Sequence, residues 1–388
     1  MDKIEQLKAG DLKELLYFLN LCFKGDPYAM HFEKGLPKLW VDDDEHMGKH
    51  YAVKENGKII AVVGIYVFDT FICGEKFRFA TVGNVATAPE CRGRGYLHNF
   101  YIMANDILEK EGVDVARLGG KRDRYERYGY EPCGGLYKAR IDRAVAEKFI
   151  KNNNIPDYKF VKVTAEDTEN LKRVKEYYEL NSIKINRGET LGDFYPSTSA
   201  WDASIYMAFD GEEPVGYLLT QTGGDWCTES YAKTPKQLVG MISRFLLSTE
   251  NTAISTNVPP DRPADIALFD RVCLGSNIDV PSHFKILNRE KLTNALLKLG
   301  NSLTPYMDGE VILGVEGEGN YLISVKDGIP SCEKTEKDAD LTLPYLDSAR
   351  LMFGPMPPYF VADLPKDKAG FISQIFPLPL YWNNQDRA

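Results

Sequence analysis

The run Val82-Gly83-Asn84-Val85-Ala86-Thr87-Ala88-Pro89-Glu90-Cys91-Arg92-Gly93-Arg94-Gly95-Tyr96-Leu97-His98 decides how this chain is read. Val82 to Thr87 has strand composition, Ala88-Pro89-Glu90-Cys91 interrupts it, and the glycine-rich turn Arg92 to Gly95 follows. Leu97, Phe100, Tyr101, Ala104 and Leu108 then recur at helical spacing, with Gly112 as the stop. That order carries chemistry. N–H groups at a helix start converge on one point and the helix dipole adds partial positive charge there, so a diphosphate is held with little reorganisation. Glycines let the backbone approach closely, and Arg92 and Arg94 add charge-assisted hydrogen bonds. A dinucleotide fingerprint fits less well, because His98 stands where its third glycine belongs. A Walker loop fits worse: Gly120-Lys121 is followed by Arg122, and Val115 stands five residues before Gly120. A charged surface turn is the plain alternative, but it has no need of two glycines interleaved with two arginines.

Outward from this loop, Asp11 to Phe23 reads as a helix stopped by Gly25. His50 to Val53 and Lys58 to Phe68 flank the hairpin signal Asn56-Gly57, and Phe77 to Thr87 and Val113 to Leu118 read as further strands. A second unit begins near Lys159 and repeats this plan with Ile205 to Phe209, a turn at Asp210-Gly211, Pro214 to Thr220 and a helix from Lys236 to Leu247. No arginine-and-glycine loop precedes that helix, so this unit is expected not to bind a cofactor. A third block opens near His283: Asn288 is the expected N-cap of a helix stopped by Gly300, Glu310 to Val315 and Asn320 to Val325 are strands, and Asp347 to Phe353 is a short helix ending at Gly354. The tail Phe376-Pro377-Leu378-Pro379-Leu380-Tyr381-Trp382 is too apolar to float in solvent and is expected to be tied down.

A chain of 388 residues exceeds a single core and predicts two or three domains, and 44% hydrophobic residues supply the material to fill them. With 47 basic against 56 acidic residues the net charge is −9, which opposes broad attraction to nucleic acid or an anionic membrane. The start lacks a signal-peptide pattern and no apolar run is long enough to span a bilayer, so a cytoplasmic location is expected. The seven cysteines are odd in number and widely spaced, which predicts reduced thiols. His46 and His50 could share a helix face, and they read as polar surface in preference to metal ligands; no metal is expected.

Arg92-Gly93-Arg94-Gly95-Tyr96-Leu97 resembles the coenzyme A loop of the GCN5-related N-acetyltransferase (GNAT) superfamily. Leu97 departs from the superfamily's Gly or Ala. Together with Val85-Ala86-Thr87-Ala88-Pro89 it resembles the enhanced intracellular survival (Eis) group. The resemblance implies an α+β chain of tandem GNAT domains, each a mixed, mostly antiparallel sheet flanked by helices, followed by an α+β domain similar to sterol carrier proteins. The expected bounds are 1–150, 151–282 and 283–388.

The same resemblance implies acetyl-CoA as co-substrate, with Val85, Ala86 and Thr87 offering backbone to the pantetheine arm. Arg92, Gly93, Arg94, Gly95, Tyr96, Leu97 and His98 would line the pyrophosphate, with Gly120 and Lys121 beside the cofactor. Tyr125, opening Tyr125-Glu126-Arg127-Tyr128-Gly129-Tyr130, matches the superfamily's general acid, while Tyr128 and Tyr130 read as packing residues. A phenol, ordinarily near pKa ~10, stays protonated above a thiol at ~8.5 and can give its proton to a departing thiolate. The implied base is the terminal carboxylate of Ala388, with Asp386 as substitute. The implied acceptor is a small-molecule or peptide amine of cationic character (an aminoglycoside, a polyamine or a lysine-like amine), with Asp26 as a contact. Asp42-Asp43-Asp44-Glu45 reads as a solvated acidic loop. A homo-oligomer, with a hexamer as candidate stoichiometry, is implied, without nucleic-acid or membrane partners. The competing reading is a lipid or acyl-chain binder that uses the sterol-carrier-like block, and an open cavity there in place of a plugged tail would favour it.

Overall fold

The computed structural model describes residues 3–24 and 32–387, except the side chain of Lys34. Its mixed α+β architecture rests on three sheets. The first contains β1 (Ile4–Gln6), β2 (His50–Glu55), β3 (Lys58–Ile72), β4 (Glu75–Thr87), β5 (Val115–Leu118) and β6 (Glu131–Cys133). Its order is β1-β2-β3-β4-β5, then the strand Ser282–Ile286, then β6, with Ile183–Ile185 pairing the far end of β3. The β2–β3 hairpin turns at Asn56 and Gly57, both at positive φ (51° and 75°), the geometry that Asn-Gly favours. Helices Leu12–Cys22 and Tyr96–Lys110 bury Leu15, Leu19, Phe100, Tyr101 and Leu108 against this sheet.

One irregularity in β4 sets the site. Val62 faces Ala86 and Gly64 faces Gly83, so Asn84 and Val85 together oppose Val63 alone. This is a β-bulge with Asn84 in the left-handed region at φ 53°. The parallel partnership with β5 covers only Phe79 to Thr81 opposite Val115 to Arg117. Past the bulge β4 has β3 on one side and an open backbone edge on the other.

The second sheet repeats the device. Its order is Gly275–Asp279, Leu136–Asp142, Ala253–Val258, Trp226–Ala232, Glu213–Thr220, Ser204–Asp210 and Lys159–Val163. Leu219 faces Glu229 and Thr220 faces Cys227, which leaves Thr228 as the extra residue, and the parallel pairing is confined to Trp226 and Cys227 opposite Ser255 and Thr256. Helix Pro235–Leu247 follows, but here the Thr234 side chain accepts from Gln237 N–H and fills the helix start. The third sheet runs Ile329–Thr335, Gly319–Lys326, Gly309–Val315, Leu341–Leu343, under helix Arg289–Leu303.

Two expectations are corrected. Gly300 does not stop its helix, which continues to Leu303; a Cβ at Gly300 would lie 1.9 Å from the Tyr306 hydroxyl, so the glycine serves close approach. His46 and His50 share no helix face: His46 sits in the short helix Asp44–Met47, whereas His50 opens β2 and is buried. The acidic loop is structural too, since Asp43 caps that helix, and Asp42 and Asp44 accept from Gly10 and Ala9 N–H groups. Among the described residues no helix is long and apolar enough to cross a membrane.

The apolar tail is buried, with Trp382 stacked on Phe79 of β4 at 5.8 Å between ring centroids. Beyond it, Asp386 is 3% exposed and receives two hydrogen bonds from Arg187, Nε at 2.8 Å and Nη2 at 3.1 Å. Arg187 also donates twice to Glu229 (3.0 and 2.5 Å), and Tyr217 donates to the same carboxylate at 2.8 Å. Gln385 Nε2 donates to the carbonyls of Thr198 (3.0 Å) and Ala200. Removing the guanidinium strands two buried carboxylates, so Arg187→Ala is expected to cost about 3–5 kcal/mol. It should also free the C-terminal segment for proteolysis. A urea midpoint and a C-terminal cleavage rate that both match the wild type would refute the clamp.

Candidate active site

The loop after β4 takes the conformation that its glycines permit. Gly93 and Gly95 have φ of 81° and 84°, where a side chain is strained. Gly95 is also the N-cap of helix Tyr96–Lys110, and no side chain among the described residues caps that start. An α-helix leaves its first-turn N–H groups without intrahelical acceptors, so the loop presents donors and positive dipole to the space in front of it. That space is a cleft of about 610 Å³. Val85, Ala86 and Thr87 line one wall and the whole run Arg92 to His98 another, while Arg124, Tyr125 and Arg127 close the far side. The wall at Val85 to Thr87 is the edge that the bulge and the parting of β4 from β5 leave open.

A second cleft, of about 330 Å³, continues from the first across Val85, Arg124 and Tyr125. Its floor is Val82, Gly83 and Asn84 with Arg117 and Gly119 from the end of β5, and its rim carries Phe23, Phe32, Trp201 and Arg387. Tyr125 thus lies between the two spaces, together with Phe23, Val85 and Arg124. It is 5% exposed, and its ring lies 5.6 Å from Tyr101. Tyr128 stacks on Tyr101 at 4.5 Å and Tyr130 meets it edge-on at 5.8 Å. The hydroxyls of Tyr101, Tyr128 and Tyr130 are buried without a partner, while Tyr125 reaches both clefts. Gly120, at φ 130°, makes room for it: a Cβ there would lie 2.7 Å from the Tyr125 ring. Gly120 lines the second cleft, and Lys121 lines neither of the two. Asp26 and Ala388 lie outside the described residues.

The family comparison meets this geometry at its first domain: residues 3–133 match the family model described as the acetyltransferase (GNAT) domain. The chain carries a GNAT acetyltransferase domain. Beyond that domain, the whole chain shares its fold with solved structures. A GCN5-related N-acetyltransferase from Kribbella flavida, 14% identical, aligns over 96% of this chain and 95% of its own with a TM-score of 0.67. One from Anabaena variabilis, 15% identical, aligns over 97% of each chain at 0.66. Eis1 from Mycobacterium abscessus, 14% identical, covers 99% of this chain and 98% of its own at 0.65. At these identities the likeness is one of fold. No curated protein matches the sequence.

Three side chains around these clefts escape sequence reading. Arg117 is 3% exposed, with Nε donating to Ser282 Oγ at 2.9 Å, Nη1 to Thr81 Oγ1 at 3.4 Å, and its guanidinium 5.1 Å from the centroid of the Trp382 ring. Burial, and then Arg387, push it down to about 9 against the pull of Asp386, so it remains charged at neutral pH. Trp201 sits at φ 61°, a region bulky residues rarely occupy and one that recurs at functional sites. The Gln385 bonds to Thr198 and Ala200 hold the backbone just before it. His50 belongs to a buried chain: its Nε2 lies 2.8 Å from the Tyr66 hydroxyl, which accepts from Asn84 Nδ2 at 2.5 Å. That chain pins the bulge residue.

Burial pushes the His50 imidazole down to about 4, so the folded GNAT domain holds it neutral. Its folded pKa lies below the unfolded value near ~6.5, so the contribution is whole above that value and is lost as pH falls toward 4. At pH ~5 the loss is about 2 kcal/mol. In His50→Gln, which keeps an acceptor for Tyr66, the drop in unfolding free energy between pH ~7 and ~5 should shrink by that amount. Identical pH profiles for the two proteins would show that His50 is not held neutral by the fold.

Proposed function

We propose that this protein transfers an acetyl group from acetyl-CoA to a primary amine. The observation that carries the proposal is the uncapped helix start behind Gly93 and Gly95, opening into one cleft that runs along the free edge of β4 and ends at Tyr125. The first-turn amides, with Arg92 and Arg94, suit a pyrophosphate. The exposed edge at Val85 to Thr87 suits an extended amide-bearing arm that adds to the sheet as a strand. Acetyl-CoA bound there supplies a thioester carbonyl at the junction of the two clefts.

In this reading the second cleft holds the amine and Tyr125 serves as the acid. The new N–C bond forms as the C–S bond breaks; Tyr125 gives its proton to the sulfur, and the proton leaving nitrogen passes to the base. The described residues lining the second cleft include no carboxylate or histidine. Asp386 is unsuited to the task because Arg187 engages both its oxygens. We therefore assign the base to the terminal carboxylate of Ala388, on the ground that the residue before it, Arg387, lines the cleft. On the same resemblance, the second unit is read as a GNAT-like domain without cofactor and the third as sterol-carrier-like, in a homo-oligomer. The stacking of Trp382 on Phe79 of the first sheet supports the enzymatic reading, while a cleft of about 340 Å³ beside Leu303, Phe353, Ile375 and Leu378 is the feature that the lipid-binding reading would use.

Tyr125→Phe should lower kcat about 100-fold while the acetyl-CoA Kd stays within about threefold. Stopped thiol release with an intact calorimetric Kd is the expected pair of results; an unchanged kcat removes the acid role. Gly95→Ala strains the left-handed turn by about 1 kcal/mol and should weaken acetyl-CoA binding. Failure of the wild-type protein to bind acetyl-CoA or coenzyme A by calorimetry would end the acetyltransferase proposal.

A further inference from the structure

Resting on the acetyltransferase reading, we propose that the acceptor is an amino carboxylate, an amine whose own carboxylate sits beside the reacting nitrogen, and that Arg117 binds that carboxylate. Overall charge suggests a cationic acceptor, but the described side chains around the second cleft carry the opposite sign, the terminal carboxylate assigned as base apart. Among the described residues, the second cleft is lined by Arg117, Arg124 and Arg387 and by no acid. Arg117 is buried, yet its hydrogen bonds run to the neutral hydroxyls of Ser282 and Thr81. A guanidinium taken out of water is normally matched by a carboxylate or phosphate, whose two oxygens fit its fork of donors. The nearby acid that could have matched it, Asp386, is held by Arg187 instead.

Other features of the cleft act in the same direction. Aromatic faces are the usual seat for an ammonium, but the Trp201 face is already covered by the Arg387 guanidinium, 5.2 Å from the ring centroid. Polyamines and aminoglycosides bring only positive charge into this field. An amino carboxylate places its anion on Arg117 and its side chain against Phe23 and Phe32. The surrounding guanidiniums disfavour the ammonium form of its nitrogen, so the amine is presented as the neutral nucleophile that acyl transfer requires. This eases the demand on a carboxylate base.

The test uses the full-length protein and matched acceptors: apolar amino acids, the carboxamide of each, the corresponding decarboxylated amines, and a polyamine and an aminoglycoside. Thiol release gives kcat/KM, and calorimetry on the coenzyme A-loaded protein gives acceptor affinity. The carboxylate member of each set is expected to exceed its carboxamide at least tenfold in kcat/KM. Arg117→Gln should erase that ratio. Arg124→Gln, at an exposed position, should reduce it without loss of fold, and circular dichroism checks both variants. A panel in which neither turnover nor binding favours the carboxylate members, or in which the cationic amines lead, overturns the proposal while leaving acetyl transfer standing. Absence of coenzyme A binding and of any thiol release is the separate result that defeats the acetyltransferase reading, and this inference with it.

Discussion

The interaction on which the site depends is the buried clamp of Arg187 between Glu229 and Asp386. Ion pairs removed from water are costly unless every donor and acceptor is met, and here the guanidinium meets two carboxylates while Tyr217 also donates to Glu229. The clamp joins the second sheet to the end of the chain. With Asp386 fixed, Gln385 reaches the carbonyls of Thr198 and Ala200, Trp201 is presented at the rim, and Arg387 lies across its face. One wall of the second cleft is therefore made by residues far apart in sequence, held by a contact that touches no reacting atom.

The two large sheets carry the same device with opposite outcomes. In each, a single extra residue, at Asn84 and Val85 or at Thr228, ends a short parallel pairing and forces two strands apart. In the first sheet the following helix begins at a glycine with no side chain among the described residues capping it, and the gap is a cleft. In the second sheet a threonine hydroxyl occupies the helix start, and the C-terminal segment docks at the bulge, where Thr228 donates to Gln385 at 3.0 Å. The same chain geometry thus leaves a helix start open in one sheet and occupied in the other.

Local signals explain what was legible in the sequence. The hairpin at Asn56-Gly57, the helix after Gly95 and the buried tail follow from turn chemistry and apolar periodicity, and all are present. So is the coarse repeat between the two units. The sequence pattern does not single out strands 136–142, 226–232 and 253–258, whose partners are fixed only by the assembled sheet. Arg117 looks in sequence like an unremarkable charge in a four-residue strand; its burial follows from Trp382 and Ser282 arriving from distant parts of the chain. His50 misled for a related reason. Its spacing from His46 suggested a shared face, whereas the chain reverses from helix to strand between them.

The strand Ser282–Ile286 gives the architecture a further consequence. It lies between β5 and β6, pairing His283 to Ile286 with Val115 to Leu118 on one side and Ser282 to Phe284 with Glu131 to Cys133 on the other. The family match ends at residue 133, yet the sheet it describes is not continuous until residue 286 has been made. During synthesis β5 therefore waits, with an open backbone edge, while about 160 further residues emerge, and an open edge is an invitation to pair with another chain. The boundary of the matched domain in sequence and the boundary of its sheet in space are different lines.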